Sequence, residues 1–142
     1  ISTVLITALI GGHIMIAQKY TALVARTFIA IIFIQTGIAK VTNFAGTQQQ
    51  IASVGIPLAA LVALFAIIFE IAGGFSLVLG YKARIGSILL LLFLIPATLM
   101  FHNPIVDASQ MIQFLKNLAI VGGLLMVAVY GSGPMSLDRK AT

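Results

Sequence analysis

The chain has 142 residues, of which 61% are hydrophobic and only 8% charged, against roughly 25% charged in ordinary soluble domains. That composition excludes a water-soluble domain, and because the apolar runs are long and continuous, unlike the ~10-residue alternations of barrel strands, it predicts membrane helices. The net charge of +5 comes from eight basic residues scattered singly or in pairs, a pattern that excludes a nucleic-acid surface and reports placement against a membrane.

In chain order, residues 1–18 (ISTVLITALIGGHIMIAQ) form an apolar extension that begins without Met, as a processed or upstream-extended chain would. A signal-peptide remnant, a fifth short helix and an extension of the first span all fit it, and His13 within it is assigned no role. Residues 19–142 read as a four-helix membrane domain, so the expected fold is all-α, an integral membrane four-helix bundle with an apolar N-terminal extension. The first span runs from about Thr21 to Val41, close to the ~20 residues a bilayer requires.

The polar stretch NFAGTQQQIASVG that follows belongs at a membrane interface. The second span, Pro57 to Gly80, starts with proline and stops with glycine, the usual asymmetry of helix ends. The third, Arg84 to Phe101, contains Pro96, which removes one backbone hydrogen bond and is expected to kink the helix. The fourth, Met111 to Tyr130, ends at the breakers Gly131, Ser132, Gly133 and Pro134.

Lys19, Arg26, Lys82, Arg84, Arg139 and Lys140 gather toward one side of this arrangement, and only Lys40 and Lys116 toward the other. Both ends of the four-helix core are therefore expected on the cytoplasmic side or its equivalent. Gly73-Gly74 and Gly122-Gly123 read as packing positions for close helix approach.

Ionisable side chains inside a membrane face the bundle interior or water, which singles out Arg26, Glu70 and Lys116, with the amide of Asn117. On the first span Arg26, Phe33, Gly37 and Lys40 share a face. On the second, Glu70 shares a face with Ala59, Ala63, Ala66 and Gly74. At ~1.5 Å per residue, Arg26 lies about 8 Å and Glu70 about 15 Å from the same membrane face, so the two are expected to form a buried ion pair. The plain role of such a pair is to fix helix register; the functional one is to carry a proton or hold a ligand.

Toward the other face, Lys40, His102, Gln113, Lys116 and Asn117 are expected to converge on a polar pocket suited to a quinone carbonyl or a small anion. The plainer alternative has the two lysines snorkelling to headgroups and His102 closing a helix end. A lone histidine without cysteine or a nearby carboxylate makes a poor metal site, so no metal is expected. With no cysteine and three acidic residues, thiolate chemistry and a carboxylate-rich catalytic centre are excluded, and no catalytic residue is assigned.

The segments RTFIAIIFIQTGIAK, TQQQIASVGIP, FEIAGGFSLVLGYKAR, FH, KNLAIVGGLL and SLD occur in this order between about Tyr20 and Asp138. Together they resemble the DoxX family of small bacterial membrane proteins. The resemblance implies a four-helix membrane fold in the bacterial inner membrane or an equivalent energy-transducing membrane, with the family's recurring polar positions matched by Arg26, Lys40, Glu70, His102 and Asn117. The family takes its name from a relative of a thiosulfate:quinone oxidoreductase subunit. The resemblance thus implies a redox-associated accessory subunit, with no cofactor of its own beyond a quinone in a shared pocket. Its implied partners are lipid and other membrane subunits or further copies of itself. A stand-alone thiosulfate:quinone oxidoreductase and a small transporter are the competing functions. The apolar leader before Gln18 departs from the simplest family pattern.

Overall fold

The computed structural model describes residues 1–140, with backbone alone for 139 and 140 and for residue 15; the Arg139 and Lys140 side chains of the expected basic side thus lie outside the described residues. The first helix, α1, runs unbroken over Ser2–Thr42, so the apolar leader continues the first span. At ~1.5 Å per residue these 41 residues extend about 60 Å, twice a ~30 Å hydrocarbon core. The leader half touches little of the bundle: Val4, Leu5, Leu9 and Ile10 are exposed, and a Cβ at Gly11 or Gly12 would meet open space.

The polar stretch after α1 folds as a second helix, α2 (Phe44–Ser53). Asn43 starts it by accepting the Gly46 N–H at 3.2 Å, the role for which short polar side chains are favoured at helix N-termini. Three long apolar helices complete the bundle: α3 (Ala59–Leu79), α4 (Ala83–Phe101) and α5 (Met111–Tyr130). A short 3₁₀ turn, Ala108–Gln110, leads into α5, and α6 (Leu137–Lys140) follows it. Helix α4 stays helical through Pro96. Among the described residues, α1, α3, α4 and the segment Ala108–Tyr130 are long and apolar enough to cross a membrane, as the sequence predicts.

Helix α1 packs on α3, α3 on α4 and α4 on α5, while α1 and α5 meet less extensively. The core between them holds Ala30, Phe33, Leu77, Leu90 and Leu124. Small residues set the spacing. A Cβ on Gly74 would stand 2.7 Å from Ile34, one on Gly37 2.7 Å from Ile71, and one on Gly73 2.6 Å from Leu90 Cγ. The Ser87 hydroxyl donates to the Leu124 carbonyl, tying α4 to α5.

These contacts separate two glycine types. Gly73→Ala pushes a methyl into fully buried Leu90 and is expected to destabilise by about 1–3 kcal/mol, as overpacking does. Gly122 has open space around it, and Gly122→Ala is expected to be neutral or mildly stabilising through helix propensity. Thermal unfolding in lipid nanodiscs reads both; equal melting of the two variants would contradict the close α3–α4 approach.

At the basic end, the chain after α5 returns across the α3–α4 turn. That turn is tight: Gly80 and Lys82 both take left-handed conformations, with φ of 65° and 48°. The Asp138 carboxylate accepts the Lys82 and Ala83 N–H groups at 2.6 and 3.1 Å, closing the N-terminus of α4, and accepts the Ser132 hydroxyl at 2.8 Å. Its own N–H donates to the Gly80 carbonyl at 2.8 Å. Burial pushes the Asp138 carboxyl up, but the Ala83, Lys82 and Ser132 bonds and the Arg26 guanidinium outweigh it and hold the group below the usual carboxylate range. Lys82 and the tail therefore lie at one end of the bundle, as the distribution of basic residues predicts.

Candidate functional site

Arg26 belongs to this clasp. It is 1% exposed, and its guanidinium donates to the Leu77 and Val78 carbonyls at the end of α3 and, at 2.6 Å, to the Met135 carbonyl of the tail. The Nε atom is buried and has no hydrogen-bond partner among the described residues. The expected Arg26–Glu70 pair is not formed. The packing register explains why: Gly37 lies against Glu70 and Ile71, and Ile34 against Gly74, which places Arg26 level with Gly80, more than two helical turns from Glu70.

Glu70 instead meets Lys40. The Lys40 ammonium lies 3.0 and 3.1 Å from the two carboxylate oxygens. Glu70 is 2% exposed and Lys40 26%. The same ammonium sits 5.5 Å from the centre of the Phe93 ring, so it bridges α1, α3 and α4. Two of its three N–H donors are committed to Glu70, and one remains.

Beside this pair is a cavity of about 380 Å³. Helix α1 contributes Phe33, Thr36 and Lys40, α3 Phe65, Phe69 and Glu70, α4 Phe93, Phe101 and Pro96, and α5 Gln113, Asn117 and Ile120. Helix α2 closes the outer end with Thr47, Gln50 and Ile51. The walls are thus aromatic and aliphatic, with polar atoms concentrated at a few points.

Of the five residues expected in a polar pocket, Lys40, His102, Gln113 and Asn117 line this cavity. Lys116 is exposed and does not: Gln113, Asn117 and Ile120 follow helical spacing, and Lys116 is about 100° around α5 from Asn117. Asn117 is 6% exposed. Its amide donates to Thr98 Oγ1 at 3.0 Å and accepts from Gln113 at 3.4 Å. His102 Nδ1 pairs with Gln110 Oε1 at 2.8 Å. Just beyond it, the Ser109 hydroxyl and N–H hold the Asp107 carboxyl below the usual range and shape the approach to α5.

The sequence does not single out Thr36, Thr98, Gln110 or the phenylalanines other than Phe33. Thr36 precedes Lys40 by one helical turn on the same face, a signal present in the sequence. Thr98 and Gln110 become site neighbours only through α4–α5 packing.

Chemically, the cavity offers an ammonium already neutralised by a carboxylate, amide groups and flat aromatic walls. Because Glu70 already neutralises the Lys40 ammonium, that cation is not left to hold a free anion.

A family model described as DoxX matches residues 21–103. The inner membrane protein YqjF of Escherichia coli (strain K12) is 34% identical over 117 residues, covering 82% of this chain and 88% of that protein. The inner membrane protein YphA of the same organism is 34% identical over 129 residues, 87% of this chain and 92% of that protein. The ER-derived vesicles protein ERV29 of Saccharomyces cerevisiae is 33% identical over 81 residues, 54% of this chain and 26% of that protein. Solved structures give no significant match.

Proposed function

The chain belongs to the DoxX family of integral membrane proteins, and from that premise we propose that it is a quinone-binding accessory subunit of the bacterial inner membrane, working beside a partner that carries the electrons. The observation that carries this reading is the aromatic-walled cavity whose polar end is the Lys40–Glu70 pair with Gln113 and Asn117. One free N–H of Lys40 and the amides supply donors for carbonyl oxygens, and the phenylalanine rings supply flat apolar faces. The accessory role rests on the absence of cysteine from the sequence and on the likeness to inner membrane proteins; electron transfer then falls to a cofactor held by another subunit.

The test is saturable binding of a ubiquinone or menaquinone analogue to the chain in lipid nanodiscs, measured against empty nanodiscs. One quinone per chain is expected, with affinity reduced at least about tenfold, roughly 1.4 kcal/mol, in Gln113→Leu and Asn117→Leu. Uptake no greater than that of empty nanodiscs would overturn the binding role. Reduction of quinone by thiosulfate in the purified chain alone would overturn the accessory role.

A further inference from the structure

We infer that the cavity is filled sideways from the bilayer through the seam between α3 and α4, so that its ligand is a long-tailed lipid quinone with its ring inside and its tail in that seam. This inference rests on the quinone reading above and specifies which quinones and which route.

The seam is closed at one level and open at another. Toward the basic end Gly73 sits on Leu90, and a Cβ on Gly86 would stand 2.6 Å from the Ser76 Cβ, leaving no room between the helices. Moving away from that end at four-residue steps, the α3 stripe continues from Gly73 through Phe69 to Phe65, both of which line the cavity. Opposite, Leu92, Pro96 and Met100 form one stripe along α4 and also line it.

Pro96 is exposed, and three further lining side chains are largely open to the outside: Phe65 is 52% exposed, Leu92 61% and Met100 47%. A side chain that lines a cavity and is half open to the surroundings stands at its mouth. All three belong to helices long and apolar enough to cross a membrane, so the surroundings at this mouth are hydrocarbon. Pro96 between them has no N–H to give the Leu92 carbonyl, a local break in the α4 ladder at the same place.

The other routes are less suited to an apolar chain. On α1 the exposed lining residue is Ile32, at 39% less open than Phe65, Leu92 or Met100, and Thr47, Gln50 and Ile51 of α2 cover the outer end. Size gives the second argument. At about 380 Å³ the cavity is near the low end of the ~300–1,000 Å³ typical of small-molecule sites, room for a substituted ring and not for an isoprenoid chain. A tailed ligand must leave its chain outside, and the apolar mouth is where it leaves.

The experiment uses the full chain in nanodiscs with two probes, a tail-less benzoquinone and its ten-carbon-tailed counterpart, on wild type, Leu92→Trp and Met100→Trp. Both positions face outward, so the larger ring is accommodated in lipid. The expected result is a loss of at least tenfold in affinity for the tailed probe in both variants, with tail-less binding within twofold of wild type. Separately, a quinone carrying a photoreactive group on its tail is expected to label Phe65, Leu92 and Met100 in wild type. Unchanged tailed binding in both variants, or labelling centred on Ile32 and Lys116, would overturn the seam while leaving the quinone reading intact. Binding of neither probe to wild type would overturn both.

Discussion

Lys40→Met is expected to destabilise the bundle by about 3–5 kcal/mol, the usual loss when one partner of a buried ion pair is removed. Both Glu70 oxygens are held by the Lys40 ammonium at 3.0 and 3.1 Å, and the carboxylate is 2% exposed. Without the ammonium, a buried carboxylate would remain on the wall of a largely aromatic and aliphatic cavity. The reverse change, Glu70→Gln, is expected to be milder, because Lys40 is 26% exposed and its long stem can carry the charge outward to the interface. The double variant Lys40→Met/Glu70→Leu is expected to recover most of the loss, since apolar replacement of a whole buried pair is often neutral. Thermal unfolding of the three variants in nanodiscs decides it: a Lys40→Met protein melting with wild type would show that Lys40 does not hold Glu70.

Arg26→Met is expected to detach the tail from the bundle. The guanidinium joins the α3 carbonyls of Leu77 and Val78 to the Met135 carbonyl, and hydrogen bonds to charged groups contribute about 1.5–3 kcal/mol each. A loss of at least about 3 kcal/mol follows, together with faster proteolytic cutting between Gly131 and Asp138 in otherwise intact protein. Arg26→Lys is expected to restore little, because a single ammonium cannot present the planar fork that reaches carbonyls on both sides. Protection of the tail in Arg26→Met equal to that in wild type would show that Arg26 is not its anchor.

The spans were legible because hydrophobic runs report helices directly, and α5 begins and ends at the positions read from sequence. The identities of the buried polar residues were equally legible, since Arg26, Glu70 and Asn117 stand out against apolar neighbours. Their pairing was not. Depth counted from helix ends placed Arg26 and Glu70 within reach, but pairing depends on the register between α1 and α3, and that is set by the seating of Ile34 on Gly74 and Ile71 on Gly37. No local pattern announces such a seating. Lys40, on the same face as Arg26, is the cation that the register brings to Glu70.

The pocket shows the same division. Proximity to one membrane face groups Lys40, His102, Gln113 and Asn117, which line one cavity, with Lys116, which helical phase turns outward. Of the aromatic wall the sequence marks only Phe33, on the face of Lys40, because phenylalanine in an apolar helix reads equally as lipid-facing or core. The Asp138 clasp is not legible for another reason: two of its three hydrogen-bond donors, the N–H groups of Lys82 and Ala83, are backbone, and backbone donors leave no mark in a sequence.

The clasp also has a consequence in time. Arg26 and its partner Met135 are 109 positions apart, an interval that translation at ~5–20 residues per second takes roughly 5–20 s to cover. Throughout that interval the first span already carries its guanidinium while the Met135 carbonyl and the Asp138 carboxylate do not yet exist. The half-made protein therefore displays a charge that the finished one conceals, and closure of the tail marks the moment of completion. An uncovered Arg26 thus distinguishes chains still being assembled, or stalled before Gly131, from those whose tail has closed on the bundle.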